Sequence, residues 1–96
     1  MCLEKAIINE IIGISKKYDN INKVVLFGSR ARNTNALKSD IDLAIYGTGE
    51  LADFIFDINE KTSTLLEFDI TIVDDGLDEL LIQMIEKEGI CIYEKH

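Results

Sequence analysis

Leu3, Ile7, Ile11, Ile14 and Tyr18 recur at helical intervals, and Ile8 and Ile12 widen the stripe. That period predicts a first helix from Leu3 to Tyr18. The polar run DNIN ends it. Val24 to Phe27 is a short apolar run rich in β-branched residues, the mark of a buried strand. Gly28-Ser29 closes that strand, and Ser29 is placed to N-cap a short helix through Arg30, Ala31 and Arg32. NTNALKS reads as a loop. Ile41 to Tyr46 is a second strand, closed by GTG. A long helix follows from Glu50 to about Leu65, with Leu51, Phe54, Ile55 and Ile58 turned inward. From Glu67 to Val73 the pattern switches to alternation. Phe68, Ile70 and Ile72 face one way, and Glu67, Asp69, Thr71 and Val73 the other, as in a third strand. DDG is a turn. Leu77, Leu80, Leu81, Met84, Ile85 and Glu88 then recur at helical spacing, and Gly89 suits the end of that helix. Ile90 to Tyr93 supplies an edge strand.

This order of elements is that of an α/β domain with a small sheet. At 96 residues, 47% of them apolar, the chain holds one compact core with little to spare, so residues 1–96 are expected to form a single domain. No apolar run approaches the ~20 residues of a membrane span. The N-terminus carries acids early and has no signal-peptide pattern, and Cys2 and Cys91 form no paired motif. Both are expected as reduced thiols in a cytoplasmic protein, with Cys91 buried.

The formal net charge is -8, from 18 acids and 10 bases. That balance opposes direct nucleic-acid binding, which needs a basic face. The charge is uneven, however. Between Arg30 and Lys38 there are three bases and no acid, enough for a small polyphosphate or an acidic partner.

The same region carries the candidate chemistry. FGSRARNTNALKSDIDLAIYG, Phe27 to Gly47, holds a Gly-Ser pair, ten residues, then Asp-Ile-Asp. Asp40 and Asp42 are two apart at a strand entrance, so they share a face. Asp69 lies on the next strand, on the face opposite its apolar neighbours; if the strands are adjacent, three carboxylates converge. Clustered anions raise one another's pKa unless a cation sits among them, and hard divalent cations prefer such oxygens. Two metals ~3.5–4 Å apart stabilise the entering and leaving oxygens of a phosphoryl displacement. Gly28 allows a phosphate to approach the backbone, where amide N–H groups and the Ser29 hydroxyl bind it.

Gly-Ser, ten residues and Asp-Ile-Asp, with an acid on a later strand, resembles the nucleotidyltransferase superfamily of DNA polymerase beta. By composition the spacing arises by chance in about one such chain per thousand, so with apolar flanks it is a specific signal. The stretch more closely resembles the minimal nucleotidyltransferases, the MNT proteins, which usually read Gly-Ser-Arg-Ala-Arg-Gly, a short loop, then Ser-Asp-Ile-Asp-Leu. LLEFDITIVDD and IEKEGICIYE match the later parts of that family, so the resemblance covers nearly the whole chain. One departure is Asn33, where the family has glycine; Asn tolerates positive φ better than most residues.

The resemblance implies a small mixed β-sheet flanked by helices, the polymerase beta-like nucleotidyltransferase fold. It implies transfer of AMP from ATP to a hydroxyl, a tyrosine of a HEPN toxin partner, with the MNT protein as antitoxin. Magnesium is the implied metal, as two ions. Gly28, Ser29 and Arg30 would bind the nucleotide. Asp40, Asp42 and Asp69 would be both catalytic and metal ligands. Two other readings remain: an antitoxin that neutralises a HEPN protein by contact alone, and a transferase acting on a small hydroxyl compound. Glu67 shares the face of Asp69 and is its rival as third ligand. Arg30 and Arg32 are read equally as phosphate contacts or as solvated or partner-facing groups. Asp74, Asp75 and Asp78 are read as turn and helix-start acids.

Overall fold

The computed structural model describes residues 3–32 and 40–95. Cys2, Asn33 and Lys38, with the NTNALKS segment read as a loop, lie outside the described residues. The elements are α1 (Lys5–Ser15), β1 (Ile21–Phe27), α2 (Ser29–Arg32), β2 (Ile41–Gly47), α3 (Ala52–Glu60), β3 (Phe68–Ile72), α4 (Glu79–Glu88) and β4 (Ile90–Glu94).

The four strands form one sheet in the order β3-β2-β1-β4. β1 runs antiparallel to both β2 and β4, and β2 runs parallel to β3, so the sheet is mixed. A parallel neighbour needs a crossover, and α3 supplies it between β2 and β3. The strand proposed at the C-terminus takes the edge beside β1.

The alternation of the strands sorts the core into two layers. Val24 and Leu26 of β1, Ile41, Leu43 and Ile45 of β2, and Ile7, Ile11, Ile14, Leu51, Phe54 and Ile58 of α1 and α3 fill one face. Val25, Phe27 and Ala44 point to the other face, where α4 lays Ile85 against them. Phe68, Ile70 and Ile72 join the first layer, as their alternation requires. Ile21 also belongs to that layer although it is three residues before Val24. A register irregularity between Ile21 and Lys23 accounts for the change of phase. It also explains why the period-2 pattern is legible only from Val24.

Three helices are shorter than their stripes suggest, the first of them spanning Lys5–Ser15 where the stripe runs from Leu3 to Tyr18. The third helical segment stops at Glu60, where Thr62, Ser63 and Thr64 follow. Their hydroxyls compete for backbone partners. Thr62 Oγ1 donates to Ile58 O at 3.0 Å, and Ser63 donates to Glu10 of α1 from both N (3.0 Å) and Oγ (2.6 Å). α4 begins at Glu79 because Asp78 Oδ1 accepts from Leu80 N at 2.8 Å. Asp74 Oδ1 closes the preceding turn on Gly76 N at 2.9 Å.

Leu80 and Cys91 stay exposed, Cys91 against the expectation of burial. Leu80 is 73% exposed, because only the side of α4 that carries Ile85 meets the sheet. Cys91 is a free, exposed thiol. It sits on an edge strand, and α4 covers too little of that face to enclose it.

Candidate functional site

The aspartates meet where three strands end. β1 pairs Phe27 with Asp42 of β2, and β2 pairs Asp42 with Asp69 of β3. One row across the sheet therefore carries the end of β1, Asp42 and Asp69. Ile41 and Leu43 point to the first core layer, so Asp42 points to the opposite face. Asp69 does the same between Phe68 and Ile70. The two carboxylates are cross-strand neighbours on one face.

Gly28 stands directly after Phe27 and has φ +75. A Cβ there would fall on Asp42 Oδ2, with Asp42 Cγ 3.1 Å away. Glycine is thus required twice, for the left-handed backbone and for the approach of the turn to the carboxylate. The Gly28 carbonyl accepts from Arg32 N at 3.2 Å. Gly28 rather than Ser29 is therefore the cap of α2, and Ser29 is its first residue. α2 is a single turn, so an anion at this place would be held by local amides and the Ser29 hydroxyl rather than by a helix dipole.

Asp42 is partly buried, and its carboxyl is pushed above the ordinary range. Burial is the largest cause, followed by the charges of Asp69 and Asp40 and a hydrogen bond shared with Asp69; Arg32 opposes the shift. Asp40 is exposed, one residue before β2, and reaches Asp42 by its charge. Among the described residues, no three acid, His or Cys side chains are gathered closely enough to enclose a metal ion. The fold brings Asp42 and Asp69 together and leaves Asp40 at the rim. Glu67 lies outside β3, one residue before Phe68, and its carbonyl accepts from Ile41 N at 2.9 Å.

The two arginines separate. Arg30 is 5% exposed and engaged by its neighbours, so it is not a solvated group. Arg32 is exposed and forms an ion pair with Glu88 at the end of α4, Nη1 to Oε2 3.0 Å. Sequence reasoning did not single out Glu88 as a site residue. It is 56 residues from Arg32, and only the tertiary fold makes them partners.

A glycine turn set against a partly buried carboxylate, with a second carboxylate across the strand, suits phosphoryl chemistry on a nucleotide. The family comparison agrees. Residues 9–96 match the model described as polymerase beta, nucleotidyltransferase. The chain belongs to the polymerase beta nucleotidyltransferase family. This nucleotidyltransferase is 39% identical over 70 residues to a Methanocaldococcus jannaschii protein assigned by inference as a protein adenylyltransferase. The match covers 72% of this chain and 67% of that one.

Solved structures share the fold. A toxin–antitoxin MntA–HepT mutant superposes with TM-score 0.71 at 18% identity, covering 93% of this chain and 74% of that one. A toxin–antitoxin structure with AMP-PNP gives TM-score 0.67 at 24% identity, with the same coverage. A complex of a tri-AMPylated Shewanella oneidensis HEPN toxin with an MNT antitoxin gives 0.67 at 18% identity, covering 97% of this chain and 74% of that one. The mixed sheet with flanking helices is the polymerase beta-like nucleotidyltransferase fold. No helix among the described residues is long and apolar enough to cross a membrane.

Proposed function

We propose that this chain is a magnesium-dependent adenylyltransferase and antitoxin that transfers AMP from ATP to a tyrosine hydroxyl of a HEPN toxin. Residues 1–96 act as one catalytic unit in this reading, in the cytoplasm, where ATP is present. The observation that carries it is the contact row: Gly28 with no room for a side chain against Asp42, and Asp42 beside Asp69. Identity to a relative assigned as a protein adenylyltransferase supports a protein acceptor. The fold shared with MNT antitoxins, one of them with an AMPylated HEPN toxin, supports the partner.

The acidic pair fits a divalent cation by its own electrostatics. Two neighbouring carboxylates, one pushed toward protonation, carry repulsion that a cation would relieve. Asp42 and Asp69 would hold it, with Asp40 at the rim, and two magnesium ions there would supply charge neutralisation for the phosphates. Gly28 and Ser29 receive the triphosphate at the end of β1. Arg30, held inside the fold, adds positive charge beneath that turn. Asp69 lies on the exposed edge strand, open to an incoming partner, and takes the proton of the acceptor hydroxyl. The tyrosine oxygen then bonds to the α-phosphorus of ATP, the bond to the β-phosphate bridging oxygen breaks, and pyrophosphate leaves with that electron pair.

The test is mass spectrometry of the partner after incubation with ATP and magnesium. The wild type is expected to add AMP. The double variant Asp40→Asn, Asp42→Asn is expected to fold, bind the partner and add none, since Ile41, Leu43 and Ile45 keep the core intact. Equal neutralisation by both proteins, with no adduct from either, would establish the contact-only reading instead.

A further inference from the structure

The row of Asp69, Asp42 and the Gly28 turn continues on the far side of β1. Leu26 pairs with Ile90 of β4, so Glu88, two residues before Ile90, ends α4 beside that turn. Its backbone is closely held. A Cβ on Gly89 would fall on Ile85 O and on Val25 Cγ1, so the end of α4 lies flush against β1. From this fixed point Glu88 Oε2 accepts from Arg32 Nη1 at 3.0 Å. Arg32 ends the single turn of α2, whose capping carbonyl is that of Gly28.

We infer that Glu88 is a positioning residue: it tethers the Arg32 guanidinium at the Gly28 turn as a preset cation for the polyphosphate of the nucleotide. This rests on the nucleotidyl-transfer reading. A triphosphate brought to Asp42 and Asp69 meets like charge, and a guanidinium beside it offsets that repulsion. Arg32 is 44% exposed and would otherwise sample many rotamers. Fixing it before the nucleotide arrives removes that ordering cost from binding. Glu88 occupies one edge of the planar fork, and the remaining N–H donors stay available to phosphate oxygens. An exposed ion pair adds little to stability, so tethering at this place is better explained by what it aims than by what it stabilises.

The test is calorimetric binding of AMP-PNP with magnesium, alongside transfer kinetics, well below each variant's melting temperature. Glu88→Gln is expected to weaken AMP-PNP about three- to tenfold and to raise KM for ATP equally, with kcat within about twofold. Arg32→Ala should lose at least as much. The double variant should bind no more weakly than Arg32→Ala alone, since Glu88 acts only through Arg32. Wild-type binding by Glu88→Gln overturns the inference, whatever Arg32→Ala does. So do losses that simply add in the double variant. Failure of the underlying reading looks different: the wild type itself would bind no AMP-PNP with magnesium and add no AMP to the partner, and both ideas would fall.

Discussion

Replacing Gly28 by Ala tests the contact row directly, because a second glycine provides the control. Gly28 and Gly49 have nearly the same backbone, φ 75 and φ 71. A Cβ at Gly49 meets nothing within 4 Å, whereas one at Gly28 meets Asp42. Placing an L-residue in the left-handed region costs roughly 1–2 kcal/mol. Reduced freedom of the unfolded chain returns about 0.4–1 kcal/mol of that. Gly49→Ala should therefore lose about 1 kcal/mol, a fall in Tm of roughly 4–8 °C for a domain of this size. Its nucleotide affinity and transfer rate should not change. Gly28→Ala carries the same strain and must also move the Asp42 carboxylate. Driving a side chain off its rotamer adds about 0.5–1.5 kcal/mol. A misplacement of about 1 Å at a reacting centre costs on the order of 100-fold in rate. The assays are thermal denaturation followed by circular dichroism and adenylyl transfer under single-turnover conditions. Should Gly28→Ala transfer as fast as Gly49→Ala, the turn and Asp42 would not act together, and the geometric basis of the proposed site would be wrong.

Asp42→Asn should raise the Tm of the metal-free protein at neutral pH while abolishing AMP-PNP binding. A carboxyl with a raised pKa contributes stability at low pH and loses it as pH rises through the folded value, so the gain on removing the charge should vanish in acid. Tyr18→Phe should destabilise the α1–α3 contact, where the phenol donates to Asp57 and its ring meets Phe54 edge-on at 5.6 Å. In the wild type the Tyr18 phenol is pushed up to about 12, chiefly by that hydrogen bond. Its stabilising contribution should be full below pH 10 and be lost as pH rises from 10 through about 12, as a pH series of melts in both proteins would show. Asp57 is held below the ordinary carboxylate range, first by Tyr18. Its contribution should be present above the ordinary range and fade as pH falls through the lowered value. On α4, Ile85→Ala should cost about 2–5 kcal/mol. Leu80→Ala should stay within about 0.5 kcal/mol by urea denaturation, since Ile85 is 1% exposed and Leu80 73%.

The local sequence determined each element whose pattern was uninterrupted. Alternation in Phe68–Ile72 placed Asp69 on the face away from the core. The i, i+3, i+4 stripe of α1 named Ile7, Ile11 and Ile14, all buried. The spacing from Gly28-Ser29 to Asp40 and Asp42 identified the candidate site, because backbone permissiveness and charge are properties of residue types at fixed offsets. Tertiary structure decided what depends on neighbours distant in sequence. The placement of β2 between β1 and β3 set Asp42 against Asp69 and left Asp40 at the rim. The packing of α4 on the sheet buried Ile85 and left Leu80 exposed, although both belong to the same apolar repeat. The edge position of β4 exposed Cys91, which its apolar neighbours alone suggested was buried. Burial and charge pairing are sums over contacts, and a one-dimensional pattern reports which side of an element is apolar without reporting what comes to cover it. Arg32 and Glu88, 56 residues apart, met only when β1 and β4 paired and brought the end of α4 to the Gly28 turn.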